Sequence, residues 1–368
     1  MRLKASSVIL AVIGILLIVA AAIVKFVLIP SATQLPTDLD ETLHFEGSYT
    51  GLNPSAIDDD TAQPFLTKAP VVASRQVKAT SDDGDTEIVR RTDKRSIEGV
   101  DAKYTPDIPI DYDIDRDSAE AQQAPKGKDD VADASGIVFT LPFDPDKDGD
   151  YTFWDPYSQQ AQKLTFDGEE KKGSRDTYRY TSTASTGEGD VLSDEVVADL
   201  ALPKSIDKQK LVTAGLAIPD GTLSSDQEAQ LQAVIAALGQ LPEDIPLTYT
   251  STSDTTLWAD KELGATVAAA NKLVITAQLG GLAQPLAVDF GTFDITSTQD
   301  SIKDLSGESK DNAGKLTLVG TVVPIVALVL GVLLVLLAIL LAVRAGRREK
   351  DHTSAAPPTG GATAASSA

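Results

Sequence analysis

Two long apolar runs, one near each end, constrain the folding of this chain more than any other feature. The first, "SSVILAVIGILLIVAAAIVKFVLIP" from Ser6 to Pro30, carries a single charge, Lys25. It is long enough to cross the ~30 Å hydrocarbon layer as a helix. A cleavable signal peptide is the rival reading, because Arg2 and Lys4 make a charged start and Ala20 to Ala22 are small. The apolar stretch, however, continues through Phe26, Val27, Leu28 and Ile29, beyond the roughly 7 to 15 residues of a signal core. An uncleaved anchor is expected. The second run, "LTLVGTVVPIVALVLGVLLVLLAILLAV" from Leu316 to Val343, is uncharged, with Pro324 in its outer third, where a kink is tolerated if the freed polar groups find partners.

Arg2 and Lys4 precede the first run, and Arg344, Arg347, Arg348 and Lys350 follow the second. Positive residues beside span ends mark the cytoplasmic side, so both termini are expected inside. The resulting organisation is a stub at 1–5, a transmembrane helix at 6–29, an extracytoplasmic domain at 30–315, a second helix at 316–343 and a disordered tail at 344–368, all at the plasma membrane. The tail sequence "TSAAPPTGGATAASSA" has few large apolar side chains and no means of building a core.

Charge then separates the middle from its flanks. Formal net charge is -22. Without the seven cations Arg2, Lys4, Lys25, Arg344, Arg347, Arg348 and Lys350 and the acids Glu349 and Asp351, 25 Lys and Arg face 52 Asp and Glu, a balance of -27. Nucleic acid is therefore not an expected partner, since binding it rests on neutralising phosphates. There is no cysteine, which removes disulfides, thiolate nucleophiles and Cys-based metal centres. With two histidines, His44 and His352, a Ser-His-Asp triad would have to build its base from His44. No enzyme is expected, and no catalytic, cofactor-binding or metal residues are assigned.

The domain between the runs reads as β-rich. "ETLHFEGSYTGL" alternates as a strand should, and Ala69 to Arg95 reads as a hairpin turning at Ser81 to Asp85. Further strands are expected at 136–141, 151–154, 162–166, 177–183, 246–253, 255–260, 272–278 and 287–295. Two helices join them. One starts at a capping box of Ser225 and Glu228, carries Leu231, Val234, Ile235 and Leu238 on one face, and ends at Gly239. The other spans 190–200, with Val191, Leu192, Val196 and Val197 roughly on one side. The predicted class is α+β: a mainly antiparallel β extracytoplasmic domain flanked by two transmembrane helices.

Two acidic stretches invite a functional reading. In "FDPDKDGDYTFWD", Asp144, Asp146, Asp148, Gly149 and Asp155 fall at calcium-loop positions 1, 3, 5, 6 and 12. The flanks are β-branched and aromatic where a calcium hand needs helices, and Asp155 is a methylene shorter than the usual Glu. A solvated Asp-Gly turn joining two hairpin strands is the competing and favoured expectation. In "DIPIDYDIDRDS", Asp111, Asp113, Asp115 and Asp117 would share one face of a strand at ~6.6 Å intervals. They read either as a cation-attracting face or as the wet side of an edge strand, with Pro109 consistent with an edge. Trp154 and Trp258 are expected to pack in the core.

The order of an N-terminal anchor, "YDIDRDS", "FTLPFDPDKDGDYTFWD", "DTYRY", "YTSTSDTTLWADKELG" and a C-terminal span with basic residues resembles the porin PorA family of actinobacterial envelope proteins, a family of unknown function. Its more specific parts are Asp115 and Arg116, the stretch from Phe143 to Asp155 with Tyr151 and Trp154, and the segment from Trp258 to Gly264. Lys261, Leu263 and the carboxylates Asp146 and Asp148 depart from the family pattern. The resemblance implies a cell-envelope protein and, from its label, a channel. Two helices with no polar stripe do not enclose water, although Gly14, Gly320 and Gly331 offer points of close packing. A membrane-anchored domain binding a lipid, another ligand or an envelope protein is the leading expectation, and a channel component is the alternative.

Overall fold

The computed structural model describes residues 5–353 except Asp129, Asp220 and Thr222. The stub residues 1–4 and the tail residues 354–368 lie outside the described residues. The chain divides into two compact units, 1–32 with 314–368 and Thr33–Ala313.

In the first unit both apolar runs are helical, long and apolar enough to cross a membrane: Val8–Ala32, and the apolar part of Gln299–Arg344. They pack along a seam of small residues. Gly14 and Ala21 on one, and Pro324, Gly331 and Ala338 on the other, are buried and recur every seven residues. That repeat keeps one face toward a partner helix. The backbones meet at the glycines, where a Cβ on Gly14 would lie 2.6 Å from the Gly331 carbonyl oxygen and one on Gly331 2.7 Å from that of Gly14. A short π-turn at Leu318–Val322 precedes Pro324, which has no N–H to donate back along the helix. Away from the seam, large apolar side chains such as Ile9, Leu16, Phe26, Leu333 and Leu336 are more than half exposed. The helix also runs on to Thr353, so residues 344–353 are not the irregular tail that composition suggests. The segment after Val343 is rich in Arg, Ala, Glu and Lys, strong helix formers, and cations favour a helix C-terminus.

The second unit is a sheet of strands β1 (Asp40–Leu52), β2 (Phe65–Asp83), β3 (Thr86–Ile97), β4 (Ile108–Asp115), β5 (Glu120–Gln122), β6 (Gly136–Ile137), β7 (Thr152–Asp155), β8 (Gln160–Lys163), β9 (Thr165–Lys172), β10 (Arg175–Ser185), β11 (Ser205–Asp207), β12 (Asp244–Asp260), β13 (Thr266–Leu279) and β14 (Leu286–Ser297). Its order is β8-β7-β6-β5-β4-β3-β2-β1-β14-β13-β12-β10-β9, with β11 added to β12. The two edges of this path, β8 and β9, are separated in sequence by one buried residue, Leu164. The sheet therefore curls round until its edges meet, giving a barrel-like form. Nearly every pairing is antiparallel; β6 with β7 is parallel. The α+β class holds.

The segmentation differs from the sequence reading at several points. The strand expected at 162–166 is broken at Leu164, with β8 ending before it and β9 starting after it. Residues 246–253 and 255–260 belong to the single seventeen-residue strand β12, whose burial alternates along most of its length. The capping box lies one residue earlier, with Ser224 and Gln227 exchanging bonds. Ile235 is 50% exposed while Val234 is buried, because the helix lays a narrower stripe on the sheet than the pattern suggested. The 190–200 helix is trimmed to Asp194–Asp199 behind an Ser193 cap, leaving Val191 exposed. Helices at Lys208–Leu216 and Gln299–Thr317 are additions. They lack the long apolar periodicity by which the others were read.

Candidate binding site inside the barrel

Inward-facing residues alternate along each strand, and in one layer of the interior they turn polar. On β3, Arg91, Asp93 and Arg95 fall between the buried Val89 and Ile97; on β2, Arg75 sits between Ala73 and Val77. On β12, Ser251, Ser253 and Thr255 lie between Tyr249 and Leu257, and Asn271 of β13 reaches over to donate to Ser253 Oγ and Thr255 Oγ1, both at 2.9 Å. Cross-strand register sets Arg75 opposite Asp93. The Asp93 carboxylate accepts from Arg75 Nε at 2.8 Å and Nη2 at 3.1 Å, and from Arg91 Nη2 at 2.6 Å and Nε at 3.2 Å. Burial alone would raise the pKa of Asp93, but Arg75 and Arg91 outweigh it and hold the carboxyl well below the usual range. Burial likewise works against the Arg91 charge, and Asp93 more than offsets it.

Three guanidinium groups, of Arg75, Arg91 and Arg95, thus share this layer with two carboxylates, Asp93 and Asp155. Arg95 has its guanidinium 5.6 Å from the Phe293 ring centre, and its Nε is buried without a partner, as are Nη1 of Arg91 and the hydroxyl of Tyr112. Burial pushes the Tyr112 pKa up to about 12. A buried donor left unmade costs on the order of 1–3 kcal/mol, so this layer is held at an energetic disadvantage by the apolar clusters around it.

Small cavities lie along this layer. One of about 50 Å³ is bounded by Arg75, Asp93, Arg95, Tyr157, Asn271 and Phe293. Another of about 20 Å³ shares Arg75, Tyr157 and Asn271 with it and adds Arg91 and Asp155. A third of about 30 Å³ lies on the other side of Arg95 and Phe293, reaching Pro54 and Phe290. Those two residues also border a larger cleft of about 320 Å³, walled by the 53–64 loop, with Ile57 and Pro64, and by the helix Lys208–Leu216, with Lys210 and Ala214. Lys210 Nζ ties the walls by donating to the Ile57 carbonyl and pairing with Asp60 at 3.3 Å. Phe290 stacks edge-on against Tyr249 at 5.4 Å. The series therefore runs from a roomy cleft to a charged interior through shared aromatic walls.

The acidic stretches singled out by the sequence serve the fold. Asp146 accepts from the Asp148 N–H, while its own N–H donates to the Tyr151 hydroxyl. Asp155 is buried on β7 and caps Ser158, 2.7 Å from its N–H. Among the described residues no group of three or more His, Asp or Glu converges as a metal site would; Asp144, Asp146, Asp148 and Asp155 are not brought together. The expected hairpin is also absent: the first strand shrinks to β6 and pairs parallel to β7. Residues 140–144 instead bond to the backbone of the 262–264 turn. There Gly264 adopts φ +72°, and any Cβ would lie 2.0 Å from the Pro142 carbonyl oxygen, so only glycine admits this crossing.

"YDIDRDS" is no edge strand either, since β4 pairs with both β3 and β5. Asp111 pairs with Arg90 at 2.7 Å, Asp113 is buried, and Asp115 caps Ser118 at 2.8 Å. Arg116 donates to the carbonyls of Leu35 and Gly84. Trp154 and Trp258 pack at the margins of apolar clusters, and Trp258 Nε1 donates to Glu170 at 2.8 Å. His44 is exposed. The arginine layer went unread in sequence because Arg75, Arg91 and Arg95 belong to an ordinary charged hairpin until barrel closure decides which face is inside.

No curated protein matches this chain. Solved structures align weakly: a conserved hypothetical protein from Mycobacterium tuberculosis described as having a double hotdog fold, at 11% identity over 76% of this chain and 80% of that one, with a TM-score of 0.14; and a MaoC-like dehydratase at 10% identity over 71% and 76%, with a TM-score of 0.12. Neither superposes well enough to inform the fold. A family model does match, from residue 6 to residue 340, and its description is porin PorA. It takes in both apolar helices and the whole curled sheet, including the 115–116, 143–155 and 258–264 segments whose structural work is described above. The chain belongs to the porin PorA family.

Proposed function

We propose that this membrane protein is a non-enzymatic binding protein of the cell envelope, with its barrel-like domain held outside the plasma membrane, both termini in the cytoplasm, and a small amphiphilic ligand, lipid among the candidates, taken into the 320 Å³ cleft. The carrying observation is the cleft itself. Its walls mix Ile57, Pro64 and Phe290 with Lys210 and Asp60, the blend of apolar lining and few polar anchors by which small-molecule sites are built. The orientation rests on the basic flanks. Channel activity has less support, because the outward helix positions are apolar and the interior cavities measure about 20 to 50 Å³.

The test is extraction and mass spectrometry of material co-purifying with the full chain. A stoichiometric amphiphile lost in Ala214→Trp, which fills the cleft, supports the reading; a chain that purifies empty and binds no added lipid refutes it. The absence of native cysteine makes orientation directly readable. Glu98→Cys should react with an impermeant maleimide on intact cells, and Ser366→Cys should not.

A further inference from the structure

The chain is acidic, at -22 overall, yet in the middle of its barrel three guanidiniums, Arg75, Arg91 and Arg95, meet two carboxylates, Asp93 and Asp155. Both oxygens of Asp93 are taken by Arg75 and Arg91. The remaining donors are not matched by acceptors. Arg91 is 2% exposed with Nη1 unpartnered, and Arg95 keeps Nε unpartnered. Nearby acids do not answer them: Asp199 lies within electrostatic reach of Arg95 but forms no ion pair with it among the described residues, and Lys94 and Arg90 carry their own partners, Asp107 and Asp111. An excess of one positive charge, with two unpartnered guanidinium nitrogens, therefore borders cavities of about 50 and 20 Å³, with Asn271 and Tyr157 on their walls. Space of about 50 Å³ is more than a single ordered water needs. Arg75, 18% exposed at its side chain, leaves a way in.

We propose that the chamber bounded by Arg75, Arg91, Arg95 and Asn271 is an anion site that takes a phosphate group. Guanidinium forks match phosphate oxygens in pairs, and the donors left for those oxygens to take are Nη1 of Arg91 and Nε of Arg95. The phosphate comes either free or as the head of a lipid, and the two sources present the same oxygens. This site is separate from the 320 Å³ cleft and does not depend on how that cleft is used.

The test uses the full chain in detergent, titrated calorimetrically with inorganic phosphate and, separately, with dihexanoyl phosphatidate, at ionic strength held constant with chloride. Saturable binding of either probe is expected. Arg95→Gln, which removes no ion pair, should weaken it at least tenfold, while Lys204→Gln, a surface change, leaves it unaltered. Tighter binding of phosphatidate identifies a lipid phosphate as the natural occupant, and equal binding identifies the free anion. Failure of the wild-type chain to bind either probe, or wild-type affinity in a folded Arg95→Gln, overturns the proposal. Should Arg95→Gln not fold, the wild-type titration decides alone.

Discussion

Replacing Asp260 by Asn tests whether the turn that joins β12 to β13 is held by one buried carboxylate. The Asp260 side chain is fully buried. Its Oδ1 accepts from Arg175 Nη2 at 2.9 Å and from the N–H groups of Glu262 and Leu263 at 2.8 and 3.0 Å; its Oδ2 accepts from Arg175 Nε and from Ser309 Oγ at 2.9 Å. These bonds tie β10, the turn and the helix Gln299–Thr317 to one group. An amide of the same shape keeps one acceptor but turns an N–H₂ toward Arg175 and Ser309. Breaking a buried pair costs about 3–5 kcal/mol. Arg175 keeps Glu262, at 2.9 Å and largely exposed, which places the expected loss near ~3 kcal/mol. At roughly 2 °C or more per kcal/mol for a domain of this size, the midpoint of thermal unfolding should fall by about 6 °C or more.

Acid provides the second readout. Burial works to raise the Asp260 pKa, and Arg175 with the backbone donors more than reverses it, so the folded value is depressed. The stabilisation is therefore complete above the unfolded carboxyl value of ~3.9 and fades as pH falls through the folded value. The gap between wild type and Asp260→Asn should narrow steadily below about pH 4. Circular dichroism melts in detergent measure both effects, with Asp194→Asn as control: its pair with Lys204 is 91% and 73% exposed and should count for less than ~1 kcal/mol. A midpoint shift in Asp260→Asn no larger than that of the control, or a gap indifferent to pH, would refute the reasoning.

Three further outcomes follow from the same geometry. Gly331→Val puts a Cβ 2.7 Å from the Gly14 carbonyl oxygen and 2.8 Å from Ile18 Cγ1, which should weaken the helix pair by roughly 1–3 kcal/mol; energy transfer between dyes at Ser6→Cys and Arg344→Cys should be lost at lower SDS fraction, while the outward Leu333→Val leaves it unchanged. Glu41 on β1 has its pKa pushed up to about 7, first by burial and then by Glu308. Its folded form takes up the proton more readily, so stability present at pH 5 should decline by about 2 kcal/mol by pH 8, less than the full shift implies because the side chain keeps some solvent contact; Glu41→Gln should flatten that slope in denaturant titrations. Gly264→Ala forces a Cβ into the Pro142 carbonyl at a left-handed backbone position and should cost about 1–3 kcal/mol, read as a lower denaturant midpoint.

Much of the architecture was legible because it depends on patterns that survive without tertiary context. A run of more than twenty apolar residues has few ways to satisfy its backbone other than a helix, so the two apolar helices needed no partner to be recognised. Their close contact at Gly14 and Gly331 was likewise marked by the absence of side chains. Alternation located β1, β2, β3, β10, β13 and β14 because each buries one face. The acidic stretches misled for the converse reason: Asp is equally at home capping a turn, pairing with Arg or coordinating a cation, and spacing along the chain does not separate these uses. Asp115 and Asp155 turned out to cap turns and Asp111 to pair with Arg90.

What the sequence by itself determined is the division of labour: two helices whose apolar surfaces need lipid, and between them an acidic, mainly antiparallel β domain. What tertiary structure alone decided is which polar residues went inside. Arg75, Arg91, Arg95 and Asn271 sit on three strands, and nothing local distinguishes them from the exposed Arg90 or Lys94. Strand pleating fixes only that neighbours point to opposite faces; the curling of the sheet, edge to edge across Leu164, makes one of those faces an interior, and with it a cationic chamber in an otherwise acidic protein.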